Sequence, residues 1–305
     1  MKNQKSDEII EKILYALSNR RLSSLRGLAA EIGISSTWLR KQILIMRKNG
    51  LIKSWQLVLN PLSHQQRIFF LLLKTNPNEP LVVNELLNNY NQNSLSTLEG
   101  ITGDFSLICR FHFPNATKFL NSLDHLYELI GETGFQKYQM IEVIKVHKEQ
   151  GFRVTTPKRK LKSDELKILL EIQKLGDTYD FPPSTYKIAK NLNDNQPAIY
   201  RKLIKWKNEN FILGYSVYTP YWQRKYIHAY IQVKAPLGKY KITTDFCISD
   251  NRVRNIYRTN QEYSLLLRTR HHNLSDLNNF LKILYQKAEV EDTLTMIVLD
   301  FLRSN

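Results

Sequence analysis

Two stretches of this chain carry side chains suited to gripping a polyanion. One holds Ser36, Thr37, Arg40, Lys41, Arg47, Lys48 and Lys53; the other holds Gln196, Tyr200, Arg201, Lys205 and Lys207. An arginine fork matches a phosphate, or O6 and N7 of guanine, while lysine supplies a mobile point charge. Short hydroxyls at a helix start can donate to phosphate with help from the helix dipole. Leu39, Ile43 and Met46 recur at helical spacing, as do Ile199, Leu203 and Trp206, so each stretch predicts an amphipathic helix with its polar residues turned out. The outward sets differ: Ser36, Thr37, Arg40, Lys41 and Leu44 in the first, and Gln196, Pro197, Ala198, Tyr200, Arg201 and Ile204 in the second. Two such helices should prefer different bases, and a duplex read by both would carry an imperfect palindrome.

Other chemistries find little support. Cys109 and Cys247 are isolated among apolar neighbours, which fits two small buried hydrophobes in a reducing compartment and neither a disulfide framework nor a zinc site. Of seven histidines only His271 and His272 are adjacent, and they read as surface or capping residues in a loop between strand and helix. No Gly-rich phosphate loop or nucleophile elbow occurs, so no enzyme, metal or cofactor is expected. The 305 residues, with 44 Lys and Arg against 28 Asp and Glu and 42% hydrophobic content, predict a folded cytoplasmic, nucleoid-associated protein whose partner is double-stranded DNA. No membrane partner is expected.

The elements that position these residues come in two copies. Residues 28–55 align without a gap on residues 188–215 at an offset of 160, and Gly103 to Arg110 aligns on Gln261 to Arg268 at an offset of 158. Each copy divides by charge. Residues 20–55 contain eight basic residues and one acid, whereas residues 68–144 contain four and eight; residues 183–225 contain eight and two, and residues 227–305 eleven and eight. Segregation of this kind points to a defined polyanion-binding face.

The basic modules predict helix-turn-helices. Ser6 can start the first helix and Ser23 or Ser24 the second; Gly33 makes the turn, Ser35 caps the third helix, and Gly50 closes it. Leu51 to Leu59 then reads as a strand supplying a wing. In the second copy Asn193 replaces the turn glycine and Asp194 can cap. The remaining modules read as strand, helix, a hairpin turning at Gly103 and Asp104, helix and strand, the βαββαβ order of a ferredoxin-like sandwich. Strands apolar on both faces need a second sheet, and the sister copy offers one. The expected architecture is α+β: winged helix-turn-helices over 1–62 and 163–222, sandwiches over 66–147 and 226–305, and a basic linker over 148–162, folded as an intrachain pseudo-dimer. The linker could lie along phosphates or serve as a solvated tether.

The run GISSTWLRKQILIMRKNGLIKSW, followed by strand, helix, a GDFSLICR hairpin, helix and strand, resembles the Lrp/AsnC family of feast/famine transcription regulators, once per half of the chain. The resemblance implies a sequence-specific regulator in which paired sandwiches set two helices on DNA. It also implies a small-molecule, amino-acid-like effector bordered by Gly103 and Asp104; as residues alone, these two make a hairpin turn. Further self-association is an expectation of the same kind. Siroheme decarboxylases are similar in architecture and form one alternative, a tetrapyrrole enzyme; a non-specific architectural DNA-binding protein is another.

Overall fold

A computed structural model describes residues 2–18, 25–63, 66–76, 81–91, 94–131 and 134–304. In the first copy the elements are α1 (Lys2–Ser18), α2 (Leu25–Glu31), α3 (Ser36–Lys48), β1 (Ser54–Leu59), β2 (Arg67–Thr75), α4 (Leu81–Asn89), β3 (Leu95–Ile101), β4 (Leu107–Phe113), α5 (Ala116–Ile130) and β5 (Phe135–Glu149). The second copy runs β6 (Phe152–Arg153), α6 (Ser163–Thr178), α7 (Thr185–Asn191), α8 (Gln196–Asn208), β7 (Ile212–Tyr218), α9 (Pro220–Lys225), β8 (Ile227–Lys234), α10 (Tyr240–Ser249), β9 (Val253–Thr259), β10 (Leu265–His271), α11 (Leu274–Ala288) and β11 (Asp292–Ser304). Helix α1 begins before Ser6, and the cap expected at Ser23 or Ser24 lies outside the described residues. The chain forms two compact units: Met1–Ser63 with Phe152–Arg224, and His64–Gly151 with Lys225–Asn305.

The first unit contains both helix-turn-helices. Gly33 turns at φ +74° and its counterpart Asn193 at +50°, a conformation that glycine adopts freely and asparagine tolerates. Ser35 Oγ accepts from Trp38 N (3.1 Å) at the start of α3. At the start of α8 the cap is Asn195, whose Oδ1 accepts from Ala198 N (2.7 Å). Asp194, expected to cap, instead accepts from Asn195 N and pairs with Lys202 at 2.7 Å. The predicted stripes, Leu39–Ile43–Met46 and Ile199–Leu203–Trp206, are buried.

The strand expected as a wing forms, but its partner is its own counterpart. β1 pairs antiparallel with β7, Ser54 opposite Tyr218 and Leu57 opposite Tyr215. A lone strand leaves a row of backbone donors and acceptors unmet, and the sister strand meets them. Helices of one copy then pack on strands of the other. Leu57 N donates to Gln173 Oε1 (2.6 Å), and the Leu57 side chain joins the apolar core of the second module beside Leu169, Ile188 and Ile199. Gly176 in α6 lies so close to β1 that a Cβ there would stand 1.8 Å from the Trp55 carbonyl oxygen.

In the second unit both copies have the order βαββαβ, and their eight strands close into a ring: β2, β4, β3, β11, β8, β10, β9 and β5, with β5 returning to β2. Two seams join the copies, β5 with β9 and β11 with β3. One side of β2, Phe69, Leu71 and Leu73, packs on Val82 and Leu86 of α4 and Phe119 and Leu123 of α5. The second copy repeats this with Ala229, Ile231 and Val233 against Leu277 and Phe280. The other side faces the ring interior, where Phe70 meets Tyr257 and Tyr230 at ring-centroid distances of 5.1 and 6.2 Å. β5 runs on to Glu149 with Lys148 buried, so the first two residues of the expected linker belong to a strand.

Candidate nucleic-acid interface

The outward faces of α3 and α8 are open to solvent. Thr37, Arg40, Lys41 and Lys48 are exposed on α3, with Ser36 partly so, and Lys53 is exposed beyond its end. On α8, Gln196, Tyr200, Arg201, Lys205 and Lys207 are exposed. Four carboxylates of this unit pair with cations outside that exposed set: Glu165 and Glu209 with Arg159, Asp194 with Lys202, and Glu171 with Lys174.

Three arginines make contacts that the sequence pattern does not indicate. Arg47 folds back along its own module. Its guanidinium donates to the carbonyls of Ile52 (3.5 Å), Lys53 and Asp177 (3.1 Å), so it ties the end of α3 to β1 and to α6 of the other copy. These carbonyls occupy part of its fork of donors, while the side chain still lines the open groove beside α3. Arg40 lies over the ring of Phe181, 5.3 Å from its centroid, and is held in one place by that stacking. Arg159, in the expected linker, is neither a tether residue nor a phosphate contact. It is bound to Glu165 (2.6 Å) and Glu209 (2.8 Å) and stacks on Phe211.

An open groove of about 610 Å³ runs beside the end of α3, lined by Leu44, Arg47, Lys48, Gly50, Ile52, Lys53 and Asp180. Lys48 and Lys53 are its mobile cations. The second helix carries apolar matter instead: Tyr200 is 57% exposed and Ile204 is 40% exposed, while Arg201 Nε donates to Pro197 O (3.3 Å) and Gln196 Nε2 to Thr185 Oγ1 (3.3 Å). Phe181 and the Asp177 carbonyl, which contact Arg40 and Arg47, are not indicated by any pattern in the sequence. They lie more than 120 positions away, and no periodicity links residues that far apart.

Glu165 is the center of a compact cluster. Besides Arg159 it accepts from Lys162 N (3.0 Å) and Trp206 Nε1 (3.0 Å). The Arg159 hydrogen bonds, helped by these two, hold its carboxyl down at about 2. Since Trp206 belongs to the buried stripe of α8, the cluster braces the second helix from behind.

The Gly103 and Asp104 turn is exposed, with Gly103 at φ +106°. Asp104 stands 3.5 Å from Lys137 Nζ, which also lies over the Phe105 ring. In the second copy Gln261 Nε2 donates to Met140 O (3.2 Å) and Glu262 pairs with Lys234. The histidine pair departs from the surface reading. His271 ends β10 fully buried against Phe280, and burial pushes its imidazole down to about 4, while His272 is exposed. The strand ends at His271, and His272 lies beyond it in solvent, so the two rings do not share one environment.

No family model matches the chain. Among curated proteins it is similar to the HTH-type transcriptional regulator FL11 of Pyrococcus furiosus, 28% identical over 144 residues that cover 47% of this chain and 92% of the relative. Among solved structures, the siroheme decarboxylase NirDL overlays on 96% of this chain and 92% of its own, with a TM-score of 0.63 and 15% identity; at that identity the likeness is one of fold. An AsnC family transcriptional regulator from Agrobacterium tumefaciens covers 44% of this chain and 88% of its own, with 16% identity and a TM-score of 0.37.

Proposed function

From a chain that belongs to the Lrp/AsnC family of helix-turn-helix regulators and carries the family unit twice, we infer that the protein is a sequence-specific DNA-binding transcription regulator. Helices α3 and α8 enter successive major grooves of one duplex. The observation that carries this reading is the pair of exposed, lysine- and arginine-bearing faces on two helix-turn-helix frames within one unit.

Arg40, Lys41 and Arg201 face base edges, and Arg40 keeps its aim through Phe181. Thr37 and Ser36 sit at the start of α3, where a phosphate gains from the dipole. Lys48 and Lys53 along the groove, and Lys205 and Lys207 on α8, neutralise phosphates. Tyr200 and Gln196 give the second half-site a preference of its own. The operator is then an imperfect palindrome, with half-site centres roughly 10 or 20 base pairs apart. The exposed turn at Gly103 and Asp104, backed by Lys137, is the place for a small zwitterionic effector, since it offers a carboxylate and an ammonium side by side.

Selection of bound fragments from random DNA tests the reading. Two dissimilar half-sites at fixed spacing support it; equal retention of all fragments replaces it with a non-specific architectural role. Incubation with siroheme serves as the control for a tetrapyrrole enzyme, and an absorbance band from bound tetrapyrrole would count against the regulator reading.

A further inference from the structure

The ring of the second unit holds two carboxylate–arginine pairs, with Glu99 and Glu149 buried and the Arg110 and Arg268 side chains 14% and 24% exposed. Glu99, fully buried on β3, is paired with Arg268 of β10 in the other copy and is hydrogen-bonded to Tyr230, also of the other copy. Arg110 of β4 is paired with Glu149 of β5 at 2.9 and 3.3 Å, and Glu149 Oε2 also accepts from the Tyr257 hydroxyl of the second copy (3.1 Å). Asn255 in turn donates to that hydroxyl (2.8 Å). Both carboxylates of these two clusters come from the first copy. The second copy contributes Arg268, Tyr230, Tyr257 and Asn255.

Strand register shows which positions correspond. Glu99 lies opposite Ile108 and Tyr257 opposite Leu266, while Phe70 lies opposite Arg110 and Tyr230 opposite Arg268. Glu99 therefore corresponds to Tyr257, Arg110 to Arg268 and Phe70 to Tyr230. The two seams are equivalent in backbone, so backbone pairing alone would let a copy close on its own kind from a second chain. The side chains would not. Two first copies would put Glu99 where Tyr257 stands, against Glu149, giving four carboxylates and two arginines. Two second copies would bury a pair of Arg268 side chains with no carboxylate. One copy of each gives two of either sign, all paired. Uncompensated buried charge is among the costliest defects a core can hold, and Glu99 already feels its burial, which holds its carboxyl above the ordinary range despite Arg268.

We propose that these buried charges are a pairing code, by which the sandwich of each copy accepts the unlike copy and rejects its own kind. Through this code the duplicated chain closes on itself, and its halves do not mix homotypically with other chains of the same sequence. The proposal does not depend on DNA binding.

The test traps homotypic closure covalently in the full chain. Lys145 pairs with Arg258 in one seam and Gly100 with Asp300 in the other, and residue 258 corresponds to 100. Thiols introduced by Lys145→Cys and Gly100→Cys thus oppose each other only when two first copies meet. They stand at opposite edges of one sheet in the self-closed chain. Cys109 and Cys247 are buried with their thiols pushed up and stay out of the exchange. The reporter chain is refolded from denaturant at about 0.1 mM, below the roughly millimolar effective concentration of a tethered partner, then oxidised. With native charges it should give almost no covalent dimer. Adding Glu99→Gln and Arg268→Met leaves every pairing neutral and should raise covalent dimer at least tenfold while the thermal melt stays cooperative. Equal dimer yields in the two would overturn the proposal. Should the neutral form fail to fold, Glu99→Arg with Arg268→Glu restores opposite signs. It should recover the melting temperature that Glu99→Arg alone loses, without covalent dimer, and failure to recover it would equally overturn the code.

Discussion

The two reading helices share one frame and are held in different ways. Helix α3 is steadied from the other copy: Arg47 reaches the Asp177 carbonyl and Arg40 rests on Phe181. Helix α8 is steadied from its own copy, by Arg159, Glu165 and Glu209 gathered behind Trp206. Their outward faces diverge as well, cationic with a groove on α3 and mixed aromatic and cationic on α8. A duplication that keeps the buried stripe and changes both the bracing and the outward face preserves the fold while making the two helices unlike, as the proposed asymmetric reading of DNA requires.

The largest effect should come from removing both arginines proposed to face bases. Arg40→Ala with Arg201→Ala removes two contacts of about 1–3 kcal/mol each. Specific affinity should fall at least about thirtyfold in a titration with the selected operator, while circular dichroism stays unchanged. Full retention of specific binding would remove these helices from the interface. Next in size is Gly176→Ala, which forces a methyl against the Trp55 carbonyl. Overpacking of this kind costs about 1–3 kcal/mol, so the melting temperature should drop by several degrees, and the loss should spread to both modules because β1 and α6 belong to different copies. An unchanged melt would mean that α6 and β1 are less closely packed.

Acid should separate the two modules. The carboxyl of Glu165 is held down at about 2, so its ion pair stabilises the fold fully above the ordinary carboxylate range and is lost as pH falls from about 5 toward 2. Amide exchange read by mass spectrometry should show protection lost over residues 163–210 before residues 25–63 as the solution is acidified; the reverse order would contradict the bracing. In Glu165→Gln the difference between the modules should shrink. The smallest effect belongs to Lys48→Ala, which should weaken all DNA sequences alike and lower the slope of log K against log salt by about 1. A sequence-dependent loss would make Lys48 a base contact.

Much of this architecture is legible in the sequence, because the signals are periodic. The stripes of α3 and α8, the left-handed turn at Gly33 and Asn193, and the βαββαβ order all follow from spacing and turn chemistry. What escaped depends on which partner a residue meets. A lone strand such as β1 has no pattern that says its mate lies in the other copy. Arg47 reads as one more cation on a basic face until the carbonyl of Asp177 is beside it. Arg159 sits in a run of basic residues, and its carboxylates come from elements of their own. The seams that close the ring are likewise invisible in periodicity, since an edge strand and a paired strand alternate alike. His271 reads as a loop residue in the sequence because a histidine at the end of an apolar strand does not announce whether its side chain points in.

The central claim is that one chain offers two unlike helices to one duplex, and binding of single chains to operators with one half-site altered at a time tests it most directly. The account expects that scrambling the α3 half-site is rescued by nothing on α8, that Arg40→Ala relaxes base preference only in the α3 half, and that Arg201→Ala relaxes it only in the α8 half. If both substitutions relax the same positions, or neither changes any, the two helices do not read separate half-sites and the account fails.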